Sequence, residues 1–244
     1  MWRAGVVTIL VFPLVLSSEE LAKPDKVPIN TWVREDIFAG YLAEDLPAFE
    51  RGERKLDRFL QDHPEDATAL AWKAGATMFR MRQAVKKGDM ESYRSLRKTE
   101  KELQEHSLRN VKSPEDIGPN IIIGGSLILT AVFLPEADRA EMYRTGRELL
   151  RDVPGRQKIF DNLPPHMRGE LWSQIALASD RLGDKEERDR VLAQMLNKLQ
   201  GTPYENRARR WQKQEEIKTQ ADHTCISCHD PGRLTPTLAR LAAQ

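Results

Sequence analysis

Three prolines set fifty residues apart constrain the fold of this chain more than any other feature. Pro64, Pro114 and Pro164 each stand at the head of a segment with helical periodicity. Proline lacks a backbone N–H and its ring fixes φ, so it suits a helix start and disrupts a helix interior. Pro64-Glu65-Asp66 and Pro114-Glu115-Asp116 share a tripeptide. Trp72 and Trp172 each fall eight residues after such a proline, and Ile122 takes that place in the middle unit. A second break follows inside each unit, at Lys87-Gly88-Asp89, at Pro135-Glu136 and at Leu182-Gly183-Asp184. Each unit therefore reads as helix, tight turn, helix. Asp89 and Asp184 stand where an N-cap is wanted, with a carboxylate able to accept from the orphan amides of the next turn.

Periodicity fills in the helices. Asp45 to Gln61 places Leu46, Phe49, Leu56, Phe59 and Leu60 on one face, with Arg51, Glu53, Arg54 and Lys55 largely opposite. His63-Pro64-Glu65-Asp66 ends that helix and starts another. The run from Ile121 to Leu134 is nearly all apolar yet too short to span a bilayer, which predicts a central buried helix. Its paired Gly124 and Gly125 would let a neighbouring helix, or a flat cofactor, approach closely. Glu205 to Gln220 is strongly charged, and predicts a solvated helix face carrying Arg207, Arg209, Arg210, Lys213, Glu215 and Glu216, anchored by Trp211. No strand pattern is found. The expected fold class is all-α over residues 31–220, as stacked helical hairpins or a compact helical bundle. A chain of 244 residues, 40% of them hydrophobic, suffices for one substantial core or an array of smaller ones. Its 38 basic and 37 acidic residues are interspersed, so bulk electrostatics gives no footprint for nucleic acid.

Met1-Trp2-Arg3 carries one positive charge and leads into an apolar run from Ala4 to Leu16, followed by Ser17-Ser18 and Glu19-Glu20. This is the order of a secretory signal peptide, with Val15 and Ser17 at the small-residue positions before a cut. Residues 1–17 are the expected signal peptide and 18–30, with Pro24 and Pro28, a flexible lead-in. The expected location is periplasmic or exported, with membrane association only if the segment stays uncleaved.

The only two cysteines, Cys225 and Cys228, are followed directly by His229. In a C-x-x-C-H arrangement each thiol can add to one vinyl group of a porphyrin, and the histidine is carried under the iron as an axial ligand. A Cys₂His₂ zinc site with His223 is the competing use, although adjacent Cys228 and His229 would strain the tetrahedron. A redox dithiol would sit in a strand-containing fold that this sequence does not show. The expected cofactor is one covalent haem c per chain, bound by Cys225 and Cys228 with His229 on the iron, in a segment spanning 221–244.

The hairpin pattern resembles tetratricopeptide-type repeats over roughly residues 45–205. Trp172, Ile175, Ala176 and Gly183 match that family's bulky, small and turn positions. Arg188 departs from it, standing where the family has a small residue, and the period is longer than the usual thirty-four. The resemblance implies stacked hairpins that expose a protein-binding surface. Residues 225–229 resemble the attachment motif of c-type cytochromes. The small cytochromes with an early motif and a late methionine ligand do not fit, because the fifteen residues after His229 hold neither Met nor His. The helical-bundle class II cytochromes are similar in layout, and Cys228-His229-Asp230 with Arg233 resembles their final helix. Pro231-Gly232 interrupts that pattern, and the chain is about twice the length of those bundles.

A sixth ligand must then come from upstream, from His63, His106, His166 or His223, or from Met167 or Met195. The resemblance implies a single-electron carrier that docks a redox partner protein. The alternatives are a helical interaction module with a structural zinc site, and a haem enzyme or gas sensor with an open sixth position. No Ser/His/Asp triad, nucleotide loop or paired-carboxylate pattern marks catalytic residues or a small-molecule substrate. An electron carrier or binding protein is thus expected rather than an independent enzyme.

Overall fold

A computed structural model describes residues 27–217. Among these the chain is all-α, with ten helices and no strand. They are α1 (Ile29–Ala43), α2 (Leu46–Asp62), α3 (Ala67–Lys86), α4 (Met90–Arg109), α5 (Gly118–Ala131), α6 (Glu136–Gly155), α7 (Gln157–Asn162), α8 (Pro165–Arg181), α9 (Lys185–Lys198) and α10 (Pro203–Gln212).

The turns follow from their residues. α3 and α8 end alike, with Gly88 and Gly183 at φ +73°, a conformation that favours glycine. Asp89 N–H donates to the Ala84 carbonyl and Asp184 N–H to the Ser179 carbonyl, both at 2.9 Å, closing Schellman motifs. The same two aspartates then start the next helix. The Asp89 carboxylate accepts from Ser92 N at 3.0 Å and that of Asp184 from Glu187 N at 3.1 Å. One residue thus closes a helix with its backbone and opens the next with its side chain. Asp45 and Asp66 cap α2 and α3 with their carboxylates, accepting from Ala48 N and Ala69 N. Pro164 sits at the N-cap of α8, while Pro64 and Pro114 lie in the turns before α3 and α5.

Antiparallel pairs α1/α2, α3/α4, α5/α6 and α8/α9 form the hairpins. The main contacts run from each to the next, α3 against α5, α6 against α8 and α9 against α10. Such sequential packing is that of an array in which each unit buries its apolar face on its neighbours. The α1/α2 hairpin extends the pattern upstream of Pro64. The repeated tryptophans are equivalent in place. Trp72 packs edge-on to Phe38 with ring centres 5.5 Å apart, and Trp172 against Phe160 at 4.7 Å; both are buried.

One helix face is only partly buried, and one expectation needs correction. On α2, Phe49 and Leu56 are fully buried, but Leu46 is 39% exposed because it lies in the first turn, at the edge of the hairpin. The apolar run 121–134 is helical only to Ala131. Val132 and Phe133 form an exposed turn in which the Arg82 guanidinium lies over the Phe133 ring at 3.9 Å. The rest of that helix does pack centrally, with Ile123, Leu127, Ile128 and Ala131 excluded from solvent. Gly124 serves helix packing. A Cβ there would come within 2.9 Å of the Leu150 side chain and 3.0 Å of the Gly146 carbonyl oxygen.

Candidate functional site

Cys225, Cys228, His229 and His223 lie outside the described residues, as does the 1–17 signal segment. The structure does describe the ground to which the cysteine segment is tethered. After α10 the chain returns to the α8–α9 turn and is fastened there. Arg188 Nη1 donates to Asp180 Oδ1 at 2.9 Å and to the Glu215 carbonyl at 3.1 Å. Asp180 Oδ2 accepts from Ile217 N–H at 2.9 Å, and Arg181 Nη2 donates to the Ile217 carbonyl at 2.6 Å. Arg181 also pairs with Glu216 at 2.5 Å. The Ile217 side chain is fully buried. Three side chains from one hairpin therefore fix three consecutive residues of the C-terminal segment.

Arg188 is the position that departs from the tetratricopeptide pattern. A small residue there would pack against the facing helix; arginine instead reaches the following segment. Asp189 and Asp180 hold its guanidinium above the ordinary value, against the opposing effect of burial.

A second polar cluster joins α8 to α10. Tyr204 Oη donates to Glu170 Oε1 at 2.9 Å and lies 2.5 Å from His166 Nδ1. Arg207 Nη1 donates to Glu170 Oε1 at 3.2 Å and to Ser173 Oγ at 2.9 Å. Its guanidinium stacks over the Tyr204 ring at 5.0 Å and the Trp211 ring at 5.7 Å. Gly169 makes room for this layer, since a Cβ there would overlap the Tyr204 ring at 2.3 Å. Arg207 is only 2% exposed, so the expectation of a wholly solvated face on α10 is wrong. Its stem and head are consumed by Glu170, Ser173 and two aromatic rings, which sequence charge alone does not reveal. Trp211 is the buried anchor that was expected.

Of the other upstream candidates for an iron ligand, Met195 is fully buried in the core and Met167 is 36% exposed beside His166. His63 stacks on Phe59 with ring centres 4.5 Å apart in the turn after α2, and His106 lies in the last turn of α4. Among the described residues no group of three or more His, Cys, Asp or Glu is placed to hold a metal ion. No helix among them is long and apolar enough to cross a membrane. A cleft of about 210 Å³ opens between α4, α5 and α6. Its cations are already matched, Lys101 to Glu141 at 2.8 Å and Arg97 to Glu141 at 3.2 Å, leaving no convergent set of groups for a ligand.

The chain matches no protein-family model, no curated protein and no solved structure.

Proposed function

We propose that this chain is an exported monohaem c-type cytochrome that carries single electrons. Cys225 and Cys228 bond the porphyrin and His229 ligates the iron. One observation carries the reading: the only two cysteines of the chain stand in C-x-x-C-H register. The charged, apolar, small-residue order of residues 1–17 supports it, because export delivers the thiols to a compartment where haem is attached.

The fastened segment at Glu215–Ile217 is consistent with the same use. Cys225 lies eight residues beyond Ile217, and eight extended residues span at most about 29 Å. A haem held there is tethered within that reach of Ile217. When bound it supplies one-electron exchange between ferric and ferrous iron. The chain supplies the rest: two thiols that hold the porphyrin edge, an imidazole lone pair for the iron, and helical hairpins as a docking surface for a redox partner protein.

The test is a pyridine haemochrome spectrum of protein exported from a host with cytochrome c maturation, beside a Cys225→Ala/Cys228→Ala control. A c-type spectrum that survives denaturation and is missing from the control supports the proposal. Colourless protein carrying zinc overturns it and leaves a helical interaction module with a metal-stapled end.

A further inference from the structure

We infer that the cleft between α4 and α6 is a proton-operated joint between the second and third hairpins, narrow while Glu100 is protonated and widened by entering water when it ionises. The joint is independent of the cytochrome reading. Its geometry is that of a hinge with one packed edge and one polar edge. On the packed edge α3 lies so close to α5 that a Cβ at Gly75 would come within 2.9 Å of Ser126 Oγ. On the other edge the backbones of α4 and α6 stay apart, and side chains bridge them. Tyr93 Oη donates to Asp138 Oδ2 at 2.5 Å, while Lys101 Nζ and Arg97 Nη2 reach Glu141 at 2.8 and 3.2 Å. The cleft of about 210 Å³ runs along this row, with Arg97, Lys101 and Glu141 in its walls.

Glu100, wholly excluded from solvent, is bonded through Oε2 to the same Arg97. Two buried atoms of this pair have no partner, Glu100 Oε1 and Arg97 Nε. A neutral carboxyl tolerates such a site. An ionised one needs donors on both oxygens, because an anion kept from water without them costs far more than a neutral group. Water is the donor left to Oε1, and the cleft walled by Arg97 is its way in. Ionised Glu100 also competes with Glu141 for Arg97, which loosens one of the bridges. Protonation reverses both effects and leaves Arg97 to Glu141.

Few charges face Glu100. On its own helix they are Arg97 and Lys101, and on α6 Glu141. Tyr93 and Tyr41 lie within its field, but burial holds both phenols above their ordinary range, so they stay neutral. α5 carries no titratable side chain. The four cations of α3, Lys73, Arg80, Arg82 and Lys86, pair with Asp57, Glu53 and Glu44 of the first hairpin. Glu100 is therefore the group whose titration the joint follows, and burial raises its carboxyl above the ordinary range.

Nitroxides attached through p-acetylphenylalanine at the exposed positions of Lys98 and Arg144 leave the cysteines untouched. Double electron–electron resonance on the full chain then reports the α4–α6 distance. Between about pH 4 and pH 8 the wild-type distance is expected to lengthen by about 3 Å, the width of one layer of water. Glu100→Gln is expected to keep the short distance throughout. Glu141→Gln, which removes two of the bridges, is expected to show the long distance throughout. A wild-type distance that stays constant or shortens overturns the inference, as does a lengthening that persists in Glu100→Gln. A short distance in Glu141→Gln at both pH values overturns it too, since the bridges would then not hold the cleft. Should Glu100→Gln fail to fold, Glu100→Met, of similar length and without a titrating group, takes its place with the same outcomes.

Discussion

Arg188 Nη1 lies 2.9 Å from Asp180 Oδ1 at the α8–α9 turn; the same Nη1 donates to the Glu215 carbonyl, and the other Asp180 oxygen accepts from Ile217 N–H. Each side chain is less than a tenth exposed. Burying two charges is offset only when their remaining donors and acceptors are also met. Here those partners are a carbonyl and an amide of the segment that leads to the cysteines, so the pair and the segment stabilise each other.

Replacing one member should therefore uncover the dependence. Arg188→Ala leaves Asp180 buried without its main cation, and is expected to lower unfolding free energy by about 3 kcal/mol. Limited proteolysis should then cut near residues 213–217, where the intact protein resists. Asp180→Ala/Arg188→Ala should lose less than the sum of the two single changes in urea unfolding. Additive losses would mean that the two residues act separately.

The α5–α6 contact makes a sharper geometric claim. Gly124→Ala puts a methyl group against Leu150 and the Gly146 carbonyl, and backbone cannot yield as a flexible side-chain tip does. A loss of about 1–3 kcal/mol is expected. Gly155, the last residue of α6, has nothing within 4 Å of an added Cβ. Gly155→Ala should thus be neutral, or stabilise by about 0.5 kcal/mol through the unfolded chain. Urea midpoints of the two variants measure the contrast, and equal midpoints would contradict close packing at Gly124.

The contrast between what the sequence disclosed and what it hid follows from the range of each interaction. Asp89 and Asp184 were legible as caps because a cap acts within three residues, and Gly88 and Gly183 because a left-handed turn needs glycine. The glycines of the apolar run pointed to a close approach, though not to Gly146 as the residue approached. Hidden were contacts between distant residues. Arg147 reaches Asp184 at 2.7 Å, adding a bond between hairpins to a residue that reads as a simple cap. Arg207 looks like one of several charges on α10, and only the placement of Glu170 and Ser173 makes it a buried one. Arg188 left a trace, as the arginine where a small residue fitted the repeat. The trace did not say that a following segment would be held there. Spacing likewise did not set His166 apart from His63 and His106, because its partner Tyr204 stands thirty-eight residues further on.

A buried acid in α4 gives a pH dependence of unusual sign. Glu100 is fully excluded from solvent; one carboxylate oxygen pairs with Arg97, and Oε1 has no hydrogen-bond partner. Burial raises its carboxyl above the ordinary 4.5, with Arg97 and Lys101 opposing and Glu141 reinforcing the rise. The unfolded chain then releases this proton at lower pH than the native protein does. Between the two values the native state binds more protons, so this group's contribution to stability falls as pH rises from about 4.5 through the raised value. Glu100→Gln keeps the shape and removes the titration. Urea unfolding of both proteins from pH 4 to 8 should show the variant gaining on the wild type with rising pH, at no more than about 1.4 kcal/mol per pH unit. A wild type that instead gains on the variant would mean that attraction to Arg97 outweighs burial, and that Glu100 is a stabilising anion at neutral pH.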